Sequence, residues 1–213
     1  MTFPTSFNCI GNTPLVRLVG AERALGVNAE LYAKVEGASL GGSVKDRAAL
    51  YMIEGAQKAG LLKKGGCVVE ATSGNTGIGL ALVCALKGYS FIAVMPDTAS
   101  VERRKLMQAY GAQVVLTDGA GGMTAAIARA KEIKTELGAY HPDQFSNPDN
   151  ALAHYETTGV EILRQLPDVD MLVAGIGSGG TVSGCGKRLK EARAVTVVGV
   201  EPLGSPFLTK GKG

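Results

Sequence analysis

Cys67-Val68-Val69-Glu70-Ala71-Thr72-Ser73-Gly74-Asn75-Thr76-Gly77 sets the architecture of this chain. A short apolar run enters a group of small polar residues, and an apolar-periodic segment then continues to Lys87. That order predicts a strand over 67–71, a tight turn and a helix over 76–87. The same pattern returns at 171–174, followed by Gly175-Ile176-Gly177-Ser178-Gly179-Gly180-Thr181 and a helical segment over 181–192. Around these two units the periodicity predicts strands over 31–35, 91–95, 113–117 and 195–200. Helices are expected over 45–58, 101–110, 124–137 and 151–165. Short continuous apolar strands alternating with helices imply an α/β fold, its sheets parallel or mostly parallel and covered by helices. Such sheets bind ligands beyond the carboxyl ends of their strands, which is where both small-residue loops fall.

Composition narrows the function classes. With 46% hydrophobic and 19% charged residues the chain is of folded rather than disordered type. A net charge of +3, without any run of five basic residues, argues against nucleic acid or an anionic membrane as partner. Cys9, Cys67, Cys84 and Cys185 show no C-x-x-C spacing and read as reduced thiols, which fits a cytoplasmic location. Residues 1–5 carry neither a basic start nor an apolar leader, and no apolar stretch reaches membrane-spanning length. His141 and His154 lie at no metal-ligand spacing with Cys or acid, so they read as surface or hydrogen-bonded structural residues and no metal is expected. Tyr155 and Glu156 read as the exposed or capped start of a helix.

The chemistry centres on Lys45, in Ser43-Val44-Lys45-Asp46-Arg47 just after Gly41-Gly42. It heads the 45–58 helix, with Ser43 as expected N-cap, Gly60 as stop, and Ala48, Ala49, Met52, Ile53 and Ala56 on the apolar face. A helix N-terminus carries partial positive charge, which disfavours a lysine cation there and lowers its pKa. A neutral amine is what condensation with a carbonyl requires; a solvated surface charge is the alternative reading. Asp46 and Arg47 read as a first-turn acid and a surface or inter-lobe pairing residue. The turn from Thr72 to Gly77 offers hydroxyls, an amide and backbone N–H groups suited to a carboxylate, or else serves as an ordinary strand-to-helix turn. One amine and two small-residue loops are the parts a phosphate-bearing aldehyde cofactor needs.

A competing signal is literal. Gly175, Gly177 and Gly180 spell G-x-G-x-x-G between a strand and a helix, with Glu201 about twenty residues on, the spacing of a dinucleotide fingerprint. This supports an NAD(P)-dependent oxidoreductase. Against it, such a fingerprint usually opens its domain, and it leaves Lys45 and the first turn without a role.

Taken together, Ser43-Val44-Lys45-Asp46-Arg47, Thr72-Ser73-Gly74-Asn75-Thr76-Gly77 and Gly177-Ser178-Gly179-Gly180-Thr181 resemble cysteine synthase (O-acetylserine sulfhydrylase). That is a fold-type II pyridoxal-phosphate enzyme family related to cystathionine β-synthase. The resemblance runs from Gly11-Asn12-Thr13-Pro14-Leu15 to Glu201-Pro202 through Met95-Pro96, Glu102-Arg103-Arg104-Lys105 and Gln144-Phe145-Ser146-Asn147-Pro148. It implies a two-lobed fold that binds pyridoxal 5'-phosphate, with Lys45 holding the cofactor covalently and then moving the substrate α-proton. Asn75 would bond the cofactor's phenolic oxygen, and Gly177, Ser178, Gly179, Gly180 and Thr181 would cradle its phosphate. Thr72, Ser73, Gly74, Thr76 and Gln144 would hold the substrate carboxylate.

The implied reaction is β-replacement on O-acetylserine, or a related β-substituted serine, with sulfide to form cysteine; cystathionine β-synthase activity is the alternative within the family. The Ser-Val-Lys sequence favours this branch over the dehydratase and serine racemase branch, which tends to carry Ser-Phe-Lys. A homodimer and the C-terminal tail of serine acetyltransferase are the implied partners.

With the turn-rich stretch 143–150 as a seam, residues 1–44 are expected to begin the larger lobe, 45–148 to form the smaller lobe, and 149–213 to open the rest of the larger one. Two departures stand out. Ser39-Leu40 occupies the place of the family's Asn-Pro, which predicts a looser approach to Lys45. The chain also stops at Lys210-Gly211-Lys212-Gly213 with no closing element, so the C-terminal part of the larger lobe is expected to be missing and a truncated, inactive binding homologue is a further reading.

Overall fold

The computed structural model describes residues 6–211; the expected leaderless start over 1–5 and the closing Lys212-Gly213 lie outside the described residues. The chain order is β1 (Leu15–Arg17), α1 (Val19–Leu25), β2 (Tyr32–Lys34), α2 (Lys45–Lys58), β3 (Cys67–Ala71), α3 (Asn75–Lys87), β4 (Ser90–Pro96) and α4 (Val101–Ala109). It continues through β5 (Gln113–Thr117), α5 (Gly122–Leu137), α6 (Pro148–Ala153), a π turn (His154–Thr158) and α7 (Gly159–Gln165). The last elements are β6 (Met171–Gly175), α8 (Gly180–Ala192), β7 (Thr196–Val200) and α9 (Phe207–Lys210).

β3, β4 and β5 form a parallel sheet in that order, with Val69 opposite Ile92 and Val94 opposite Val115. Val68 also bridges Tyr140 in parallel. One face of this sheet joins α2 and α3 in a core containing Met52, Ile53, Leu80, Val83, Met95 and Met107. The other face packs Val69, Ile92 and Val94 against Ala126, Ala130 and Ile133 of α5. Burial on both faces explains why these strands read as unbroken apolar runs. β6 and β7 form a second parallel pair, covered by Ile162, Cys185 and Leu189. Its other face exposes Met171, Val173, Val198 and Val200, so the expected two-sided cover is absent here among the described residues.

β2 falls within the strand expected over 31–35 and pairs antiparallel with β1; β1 and α1 were not anticipated, because a three-residue strand and a seven-residue helix are too short to carry a period.

The expected helix over 151–165 is three pieces. α6 starts earlier, with Pro148 in its first turn and the Asn147 side chain accepting the Asp149 N–H at 3.0 Å. The ladder then widens into the π turn before α7 resumes. Tyr155 and Glu156 therefore sit inside the segment rather than at its start. π turns of this kind are rare and are found mostly at functional sites.

The approach to Lys45 also departs from expectation. Ser43 does not cap α2; its Oγ accepts the Lys45 N–H at 3.2 Å, and Val44 is the N-cap residue. Nor is the Ser39-Leu40 turn loose. The Leu40 N–H, which a proline would lack, donates to the Cys9 carbonyl at 3.1 Å. The Ser39 hydroxyl accepts the Gly11 N–H, and the buried Asp46 carboxylate accepts the Gly41 N–H at 2.8 Å. Three consecutive residues are thus tied down where proline would have stiffened one. Cys67, Cys84 and Cys185 are free thiols; burial pushes those of Cys84 and Cys185 up to about 12, whereas Cys67 is half-buried and Cys9 is exposed.

Candidate active site

Two of the helix starts without a side-chain cap follow the small-residue loops. α3 begins after Gly74, and α8 begins after Gly179, whose φ of 82° is a left-handed conformation that glycine adopts without strain. The leading N–H groups of a helix have no intrahelical acceptor, so each start presents donors and partial positive charge to an anion. Around α3 the Thr72 Oγ1 accepts the Gly77 N–H at 3.2 Å and turns the strand into the helix. Thr72 and Thr76 are buried, Ser73 and Gly74 half-buried, and Asn75 exposed. In the α8 loop Gly175 and Gly177 are exposed, and a Cβ built on either meets nothing within 4 Å. Open space therefore lies over that loop.

Gln144 joins the first of these starts. Thr76 Oγ1 donates to Gln144 Oε1 at 2.6 Å. Gln144 is carried there by Asp143, whose φ of 50° is unusual for a residue with a side chain. The Asp143 N–H donates to the buried Glu70 carboxylate at 2.9 Å, which holds that conformation.

Lys45 is half-buried, and its amine forms no ion pair or hydrogen bond among the described residues. Burial desolvates the amine and lowers its pKa from the usual lysine value, the direction expected from sequence. Its backbone lies against α3, so close that a Cβ on Gly79 would sit 2.9 Å from the Lys45 carbonyl oxygen. The next cation is its opposite. Arg47 is 1% exposed and binds two carboxylates in bidentate fashion, Glu36 at 2.7 and 2.8 Å and Glu161 at 2.5 and 2.8 Å. Burial opposes its charge, but the hydrogen bonds it donates to Glu161 and Glu36 outweigh it and raise its pKa. Glu161 also takes the Lys34 ammonium at 2.6 Å and the Asn12 N–H at 3.0 Å. Burial would raise its carboxyl, yet Arg47 and Lys34 hold it at about 2. The network joins α2 to α7 and to the N-terminal segment, and the burial of Arg47 excludes the surface role considered for it.

Sequence reading missed Asn150, and of the two readings given for His154 the hydrogen-bonded structural one holds. Asn150 is 3% exposed, and its Nδ2 donates both to the Gln144 carbonyl at 2.9 Å and to Ser178 Oγ at 2.8 Å. His154 is fully buried, with Nδ1 3.0 Å from Thr158 Oγ1 and Nε2 3.2 Å from Thr181 Oγ1. Burial first, then the positive charges of Lys45 and Arg47, lower its pKa to about 4. The structure thus connects Thr76, Gln144, Ser178 and Thr181 through residues that lie in a turn-rich stretch with no chemical signature of its own. Arg103 adds a contact from α4, donating to the Ser73 carbonyl at 3.4 Å. Glu201, the acid of the apparent dinucleotide fingerprint, accepts from the Leu208 and Thr209 N–H groups at 2.8 and 3.1 Å. Its carboxylate is occupied in capping α9 rather than facing a ligand.

The described residues contain no group of His, Cys, Asp or Glu able to hold a metal ion, and no helix among them is long and apolar enough to cross a membrane.

Residues 7–213 match the family model described as pyridoxal-phosphate dependent enzyme. A cysteine synthase of Staphylococcus aureus is 50% identical over 208 residues, 95% of this chain and 66% of its own length. The crystal structure of a hydrogen sulfide-producing enzyme from Fusobacterium nucleatum is 47% identical with a TM-score of 0.88, covering 99% of this chain and 71% of that one. That of O-acetyl serine sulfhydrylase isoform 3 from Entamoeba histolytica is 41% identical with a TM-score of 0.94, covering 100% of this chain and 65% of that one. The chain therefore spans about two thirds of the length of the curated relatives it matches.

Proposed function

This chain belongs to the pyridoxal-phosphate dependent enzyme family, and from that premise we propose that the whole protein forms cysteine by β-replacement, exchanging the acetoxy group of O-acetylserine or a related β-substituted serine for sulfide. The observation that carries the reading is Lys45. It is an unpaired amine with a burial-lowered pKa, at the head of a helix whose backbone lies against α3. The nicotinamide reading has no comparable support, because Glu201 is engaged in capping.

The residues fit pyridoxal phosphate. Open space over Gly175 and Gly177, the left-handed Gly179 and the free donors at the start of α8 suit a phosphate dianion. Once bound, the cofactor supplies an electron sink for charge on the substrate α-carbon. The chain's own residues do the rest. Lys45 would hold the cofactor through its amine and would take the substrate α-proton; desolvation favours the neutral form that both tasks need. Gly177, Ser178, Gly179, Gly180 and Thr181 hold the phosphate, and Asn75 bonds the phenolic oxygen. Thr72, Ser73, Gly74, Thr76 and Gln144 bind the substrate carboxylate at the positive end of α3, which fixes the α-carbon within reach of Lys45. Loss of acetate and addition of sulfide then occur at the β-carbon.

We further assign residues 45–148 to a smaller lobe and 1–44 with 149–213 to a larger one, a division supported by the separate β3-β4-β5 and β6-β7 sheets. The whole protein is proposed to be a cytoplasmic homodimer whose cleft also accepts the C-terminal tail of serine acetyltransferase.

The test is the purified full-length protein with pyridoxal phosphate. The expected result is a visible absorption band, its reduction by borohydride with label at Lys45, and cysteine production from O-acetylserine and sulfide. Comparing O-acetylserine, O-phosphoserine and serine with homocysteine identifies the donor and acceptor. Protein that binds NADH and shows no such band overturns the proposal.

A further inference from the structure

We propose that Asn150 is a positioning residue that sets the conformation of the α8 loop and couples it to the substrate-carboxylate side of the site; this rests on the pyridoxal-phosphate reading above. The argument begins with the orientation of its amide. Nδ2 lies 2.9 Å from the Gln144 carbonyl oxygen, which can only accept, so the nitrogen must face it. The second Nδ2 hydrogen then points to Ser178 Oγ at 2.8 Å, and Oδ1 is left against Gly180. Oδ1 is buried and has no hydrogen-bond partner. An unsatisfied buried acceptor costs free energy, so the side chain is kept in this pose by what Nδ2 does.

The loop is built to admit it. A Cβ at Gly180 would overlap Asn150 Oδ1, and a Cβ at Gly184 would overlap the Ala151 carbonyl oxygen. Both glycines let α8 press directly on the backbone that carries Asn150. His154, four residues on at the head of the π turn that continues α6, reaches Thr181 Oγ1. Ser178 and Thr181 are therefore each fixed from below by a buried side chain, which leaves their backbone N–H groups free for an anion. The Gln144 end matters equally. Its side chain meets Thr76, so a single amide stands between the turn opening α3 and the loop opening α8. Removing it should loosen the α8 loop and separate the two half-sites.

The experiment compares wild type, Asn150→Ala, Ser178→Ala and the double variant of the full-length protein, with Leu152→Ala as a control for an exposed α6 position. Two quantities are read: the Kd for pyridoxal phosphate by absorbance titration, and amide hydrogen exchange over 177–182 in cofactor-free protein. Asn150→Ala should weaken the cofactor about tenfold, equal to about 1.4 kcal/mol, and speed exchange in the loop by a similar factor. Leu152→Ala should leave both unchanged. In the Ser178→Ala background the effect of Asn150→Ala on Kd should fall below about twofold, because the contact it acts through is already gone. Equal effects in both backgrounds, or unchanged loop exchange in Asn150→Ala, overturn the proposal. If Asn150→Ala does not fold, Asn150→Asp keeps the shape, removes the Nδ2 donors and is judged by the same criteria. Wild type that takes up no pyridoxal phosphate defeats the family-based reading instead, and the exchange measurement alone then decides the role of Asn150.

Discussion

Arg47→Met tests the buried ion network between α2 and α7. The methionine keeps length and apolar body but removes a cation that is 1% exposed and gives four hydrogen bonds to Glu36 and Glu161. Neither carboxylate is wholly orphaned: Glu36 keeps the Thr13 hydroxyl at 2.6 Å, and Glu161 keeps Lys34 and the Asn12 N–H. Removing one partner of a buried pair costs about 3–5 kcal/mol. The surviving partners, and the 16% exposure of the Glu36 side chain, place this case at the lower end, about 3 kcal/mol.

With a urea slope of about 1–3 kcal/mol per molar, the unfolding midpoint should drop by about 1–3 M at neutral pH. Acid provides an internal check. Glu161 holds its charge down to about 2 in the folded protein against an ordinary 4.5, so its contribution is complete above 4.5 and is lost as pH falls towards 2. The gap between wild type and variant should therefore narrow over that window. A variant within about 1 kcal/mol of wild type at pH 7 would refute the reasoning, and so would a gap that persists when the carboxylates are protonated.

Lys45→Ala in the full-length protein should cut turnover at least about a thousandfold, roughly 4 kcal/mol on the barrier, with the thermal unfolding midpoint little changed. Steady-state assays with O-acetylserine and sulfide check this, and near-normal turnover would place the catalytic amine elsewhere. His154 should make the protein acid-sensitive. The unfolded chain binds a proton near 6.5 while the folded one resists until about 4, so stability is full above 6.5 and falls as pH drops between those values. The loss should approach about 3 kcal/mol, and His154→Gln should flatten that segment of a urea-midpoint-against-pH curve. Gly79→Ala should destabilise by about 1–3 kcal/mol, since the new Cβ meets the Lys45 backbone rather than a yielding side chain. Calorimetry would read it, and a neutral effect would mean that α2 and α3 can part without cost.

The sequence by itself determined the α/β class, the α2 boundaries and the places of both small-residue loops. Those features are local: apolar runs report strands buried on two faces, and glycine-rich turns report where the backbone must bend into a helix. It also singled out Lys45, because an amine at a helix start is chemically conspicuous. Tertiary structure alone decided what surrounds these parts. Arg47 and Glu161 are separated by 114 residues, and Gln144 and Thr76 by 68, so no window of sequence contains either pair. The same holds for Asn150 and Ser178, 28 residues apart. The π turn at His154–Thr158 was illegible for a related reason: one widened ladder step leaves the apolar period nearly intact while rotating the side chains that follow. The desolvation that lowers the Lys45 pKa was likewise beyond the sequence, since it depends on every neighbour that excludes water, and those neighbours come together only when the chain folds.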